Sequence, residues 1–95
     1  MLRGFWSKHP DAQRPLRTWY KIIYKAEWLD FADVRDVYPH ADRVGKFTVF
    51  NIAGNKYRLV VAINFRVKIV YIRFIGTHKE YDKINAETVL VEHIL

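Results

Sequence analysis

Apolar and polar positions change rhythm along this chain near residue 46. Before that point the period is helical. Leu16, Trp19, Tyr20, Ile23 and Tyr24 recur at steps of three and four, while Arg14, Arg17, Lys21 and Lys25 occupy the opposite stripe. This predicts an amphipathic helix with a basic back. Its start is confined by Pro10 and Pro15, since proline is tolerated only near a first turn. The stretch WLDFADVRDVYP predicts a second, shorter helix, with Asp30 as N-cap, Asp33 complementing the dipole, Trp28, Phe31 and Val34 inward, and Pro39 as its end. The opening MLRGFW is apolar and reads as a short strand, and HADRVG reads as a loop.

From Lys46 the chain is rich in β-branched and aromatic residues. KFTVFNI, KYRLVVAI and KIVYIRFI predict three strands, joined through AGN (Ala53–Asn55) and then NFRV. The expected fold is therefore α+β: two N-terminal helices packed on a three- to four-stranded antiparallel meander, with a short helix to follow. Alternation places Tyr57, Leu59, Val61 and Ile63 on the core face of the middle strand, and Lys56, Arg58, Val60 and Ala62 on the other. In the last strand Val70, Ile72 and Phe74 suit the core, with Tyr71 and Arg73 opposite. That phasing puts Arg58 and Arg73 on one side of the sheet. Either they serve an anion there, or each is a solvated arginine, one of them at a bulge.

The last strand runs into GTHKEYD. Thr77 and Glu80 have the spacing of a capping box, and Gly76 permits a bend before it. A helix from His78 to about residue 84 places His78, Tyr81 and Asp82 on one face. Capping and packing alone account for this stretch. A catalytic or phosphate-binding corner is the sharper alternative. NAETVLVEHIL is apolar enough to pack or to pair.

Composition narrows the classes. Ninety-five residues, half of them apolar, with no repeat or linker, predict a single domain over residues 1–95. No apolar run approaches the ~20 residues that span a bilayer, and no signal-peptide pattern is visible. With no cysteine, disulfides and thiolate metal sites are excluded. A cytoplasmic protein is expected. The four histidines lack ligand spacing, so no metal or cofactor is expected. The net charge is +6, and from Gly45 to Lys79 there are seven basic residues and no acidic one. A field of that sign attracts polyanions, nucleic acid among them.

FNIAGNKYRLVVAI and VYIRFIGTHKEYDKI, with WLDFADVRDVYPHADRVG before them, resemble the HigB branch of the RelE/ParE superfamily of bacterial toxins. The likeness covers most of residues 3 to 88 and agrees with the order of elements read from periodicity. It implies a RelE-like fold and an RNase that cuts mRNA on the ribosome, neutralised by a cognate helix-turn-helix antitoxin of the HigA kind. Arg58 in KYRLV matches the strand arginine that holds the scissile phosphate. His78 stands where RelE-type toxins carry a second arginine, and Tyr81 lies a few residues early for a functional tyrosine. The family's lysines on the first meander strand are not matched, since FTVFN offers Thr48 and Asn51, with Lys46 at its edge. An imidazole, with its ordinary pKa of ~6.5, suits acid–base work.

The resemblance thus implies a metal-independent endoribonuclease. His78 would be acid or base, Arg58 and Arg73 phosphate clamps, and Tyr81 a stacking or hydrogen-bonding partner. Lys46, Asn51 and Lys79 would bind substrate, and Asp82 would orient the imidazole. A non-catalytic RNA- or ribosome-binding module, or a ParE-like gyrase inhibitor, are the alternatives.

Overall fold

The computed structural model describes residues 2–83; NAETVLVEHIL lies outside them. Helix α1 (Leu2–Lys8) leads through a 3-10 turn (Pro10–Ala12) into α2 (Gln13–Lys25) and α3 (Phe31–Val37). Four strands follow, β1 (Asp42–Val44), β2 (Phe47–Ile52), β3 (Tyr57–Asn64) and β4 (Ile69–Thr77), and then α4 (His78–Asp82). The strands form an antiparallel meander in the order β1-β2-β3-β4. The α+β architecture expected from periodicity is the one observed.

Two local expectations are corrected. Residues 2–8 are helical, because Leu2, Phe5 and Trp6 fall at helical steps and their apolar side packs on the core. The fourth strand instead comes from HADRVG, where Asp42, Arg43 and Val44 pair with Val49, Thr48 and Phe47 through a tight turn at Gly45, whose φ is +59°. The second helix has the expected cap: the Asp30 carboxylate accepts from Asp33 N–H, and Asp33 in return accepts from Leu29 N–H.

The helices cover one face of the sheet. Leu16, Trp19 and Val34 meet Phe50, Ile52, Leu59 and Val61 in a closed core, with Trp19 edge-on to Phe50. Each fully buried side chain of this size contributes about 1.5–3 kcal/mol. Tyr20 and Tyr24, on the apolar stripe of α2, stay 56% and 78% exposed and stack on each other instead.

The other face carries a second apolar cluster, Phe47, Val49 and Val60 with Val44, Ala62, Phe74 and Tyr81. Phe74 therefore faces away from the helices, against expectation. The reason is a bulge opposite Val60 and Val61: Val60 pairs with Phe74 but Val61 with Ile72, leaving Arg73 as the extra residue. Ile72 and Ile75 point to the helix side, and Tyr71 and Phe74 to the open side. Lys56 also departs from the expected phasing. It lies in the turn before β3, and its ammonium donates to Asp11 on the helix side.

Candidate active site

The open face of the sheet has three rows across β2, β3 and β4: Phe47–Ala62–Tyr71, then Val49–Val60–Phe74, then Asn51–Arg58–Gly76. The last row ends against α4. Gly76 has no need of a positive φ; it is required because a Cβ there would lie 2.6 Å from Phe74 Cζ and 3.1 Å from Glu80 Oε1. Its missing side chain lets Phe74 and α4 close over the strand end next to Arg58.

Thr77 and Glu80 form the capping box that the sequence announces. Thr77 Oγ1 accepts from Glu80 N–H at 3.1 Å, and the Glu80 carboxylate accepts from Thr77 N–H at 2.8 Å. That bond holds the Glu80 carboxyl below its usual range. The His78 amide donates to the Lys56 carbonyl at 3.0 Å, so α4 starts pinned to the β2–β3 turn.

Arg58 donates from Nη2 to His78 Nε2 at 2.7 Å, and His78 Nδ1 stands 3.3 Å from Asp82 Oδ2. A guanidinium only donates, so Nε2 must be the accepting nitrogen. The proton then sits on Nδ1, directed at Asp82. The imidazole is thus held as one tautomer, with its lone pair under a cation. The Arg58 guanidinium also lies 5.3 Å from the centre of the Tyr81 ring, which packs in turn against Phe74. The corner is open to solvent, the His78 side chain being 37% exposed and that of Asp82 62%.

Of the residues singled out from the sequence, His78, Arg58, Tyr81 and Asp82 meet. Asn51 is the cross-strand neighbour of Arg58 on the same face. Lys79 is exposed beside His78 on α4. The other two are elsewhere. Lys46 lies at the far end of β2, with its ammonium over the Phe47 ring at 5.9 Å. Arg73 sits at the bulge, three residues before Gly76 along β4, with its guanidinium 5.2 Å from the Tyr71 ring. Thr48 is buried on the helix side.

Four buried side-chain polar atoms have no hydrogen-bond partner among the described residues. One is Trp19 Nε1, in the helix-side core. The others are Asn51 Oδ1, Arg58 Nε and Arg73 Nε, all on the open face. An unmet buried group costs about 1–3 kcal/mol, and three of the four lie on the open face. Among the described residues, no three His, Asp or Glu side chains gather closely enough to hold a metal ion. No helix among them is long and apolar enough to cross a membrane.

Residues 12–84 match the family model described as HigB_toxin, the RelE-like toxic component of a toxin-antitoxin system. The chain belongs to the HigB toxin family. Relatives in Escherichia coli agree. The mRNA interferase toxin HigB of strain K12 is 33% identical over 82 residues, covering 83% of this chain and 79% of that protein. The mRNA interferase HigB of the O6:H1 strain is 29% identical over 80 residues, covering 81% and 78%. An mRNA interferase HigB of Shigella flexneri is 33% identical over 82 residues. Membership in a HigB family makes this chain the toxic half of a pair, with an antitoxin as its partner.

Proposed function

We propose that this HigB-family toxin is an mRNA interferase that cleaves by attack of a ribose 2′-hydroxyl on the adjacent phosphorus, with His78 as the acid–base group. The observation that carries this is the hydrogen-bonded chain Arg58–His78–Asp82. Arg58 donates to His78 Nε2. A phosphate competes for that guanidinium through shorter, charge-assisted bonds. Moving onto the phosphate, Arg58 uncovers the Nε2 lone pair where the 2′-hydroxyl proton must go. Nε2 takes that proton, the O2′–P bond forms, and the P–O5′ bond breaks. The departing 5′-oxygen takes a proton from water at this exposed corner, leaving a 2′,3′-cyclic phosphate and a 5′-hydroxyl, and the Nε2 proton returns to solvent. Asp82, accepting from Nδ1, stabilises the imidazolium that forms, and Arg58 offsets charge on the phosphorane.

Tyr81 holds Arg58 from its ring face, and Asn51 lies beside Arg58 on the same face, where its side chain would meet the ribose or base next to the phosphate. Lys79 is positioned for a flanking phosphate. Each of these roles needs only protein groups, so the reading requires no metal. The relatives' activity on mRNA favours RNA cleavage over gyrase inhibition or RNA binding alone. The ribosome would present the mRNA in the extended form that an open corner needs. The antitoxin would be a HigA-like helix-turn-helix protein, and the compartment the cytoplasm.

Expression without antitoxin, followed by primer extension on translated mRNA, tests the reading. Wild type should arrest growth and leave new 5′ ends. His78→Ala and Arg58→Ala should each lose roughly 10²–10⁴-fold in cleavage while keeping the wild-type circular dichroism. Cleavage by both variants at the wild-type rate would falsify the assignment.

A further inference from the structure

We propose that Tyr71 and Arg73, with Lys46 across the sheet, form a second subsite that stacks and anchors an unpaired nucleotide flanking the scissile linkage. The proposal rests on the RNA-cleaving reading of the His78 corner and extends it along the open face. Tyr71, the third residue of the edge strand β4, is 45% exposed. Its cross-strand neighbour on this face is Ala62, too small to cover the ring. The bulge brings Tyr71 and Phe74 to the same side with Arg73 between them, and bulges re-aim side chains in this way near functional sites. The Arg73 guanidinium lies against the Tyr71 ring, yet its Nε is buried without a partner. A cation backing a half-open aromatic ring is the arrangement that holds a base on the ring and a phosphate beside it.

Charge runs the same way. Strands β2, β3 and β4 contain no acidic residue, while the Arg58 and Arg73 guanidinium groups lie by the open-face rings of Tyr81 and Tyr71. Lys46 flanks the row Phe47–Ala62–Tyr71 at its other end. Four residue steps along β3, from Arg58 to Ala62, separate this row from the catalytic one, about 13 Å at ~3.3 Å per residue. The two groups are therefore distinct, and one extended strand reaches both.

The test is binding of a 5′-fluorescein hexamer of 2′-O-methyl RNA, in which the nucleophile is blocked, to the full chain by fluorescence anisotropy. A set with one abasic residue at each position in turn accompanies it. Tyr71→Ala should bind roughly tenfold more weakly than wild type, and Tyr71→Phe within about twofold, since the ring is what stacks. One abasic position should cost wild type the same factor and cost Tyr71→Ala nothing more. Arg73→Ala should weaken binding and flatten the salt dependence.

If Tyr71→Ala binds as wild type does, or Tyr71→Phe is as weak as Tyr71→Ala, the subsite is wrong. The cleavage reading then stands or falls on the His78→Ala experiment alone. A wild-type chain that cuts mRNA but has no affinity for the hexamer also overturns the subsite. If it neither binds nor cuts, both readings fall.

Discussion

At the scale of the residue, the deciding contact is between groups twenty positions apart. Nothing local joins Arg58 to His78; the register that pairs Arg58 with Gly76 does so. The i,i+4 relation of His78 and Asp82, by contrast, is legible from spacing once α4 is granted. What Asp82 contributes is bounded by its surroundings. Exposed pairs are worth ~0.2–1 kcal/mol, and this one is open to water on both sides. Asp82→Asn should therefore slow cleavage by at most roughly fivefold, far less than His78→Ala, with the loss in kcat rather than KM. An unchanged kcat in Asp82→Asn would remove Asp82 from the catalytic chain.

Elements differ in how far they declare themselves. The amphipathic α2, the Asp30 cap of α3, the AGN turn and the THKE capping box are visible in sequence because each is made by residues within one turn of one another. β1 is not: three residues, two of them charged, show no alternation, and they are a strand only because β2 lies beside them. Phe74 was unreadable for a related reason. Both faces of β4 are partly apolar, so periodicity cannot reveal where a bulge resets it, and with Phe74 went the separation of Arg73 from Arg58. Helix α4 has five residues, below what propagates without help, and depends on its cap. Thr77→Ala should cost about 1 kcal/mol. That energy is spent on opening α4 locally, where His78 and Tyr81 reside. Cleavage should thus drop roughly fivefold, with a small change in the urea midpoint, and Thr77→Ser should restore it. A large midpoint shift with unchanged cleavage would show that the cap serves the whole fold and not the site.

For the molecule as a whole, the joint between helix layer and sheet lies directly behind the site. Tyr57 and Arg58 are consecutive in β3 and face opposite ways. Arg58 looks out over the open face, and Tyr57 is clamped on the helix side by Phe5, His9 and Asp11. Asp11 accepts from both Lys56 and Tyr57. The hydrogen bond from Lys56, then that from Tyr57, draws the Asp11 carboxyl below its ordinary 3.8. The same carboxylate raises Lys56 above 10.5 and Tyr57 above 10.0. A depressed carboxyl stabilises the fold fully above its unfolded value, and that stabilisation is lost as pH falls through the lower folded value. The raised tyrosine and lysine contribute below their unfolded values and lose that contribution as pH rises through the folded ones. Thermal melts of wild type and Asp11→Asn should therefore differ by a constant amount from about pH 4 to pH 10, with wild type the more stable. The gap should close below pH 3.8, where Asp11 takes up a proton and comes to resemble the amide, and should narrow again above pH 10. A gap that ignores pH would mean that Asp11 acts through shape alone, and that its charge does not fasten the helices to the strand bearing Arg58.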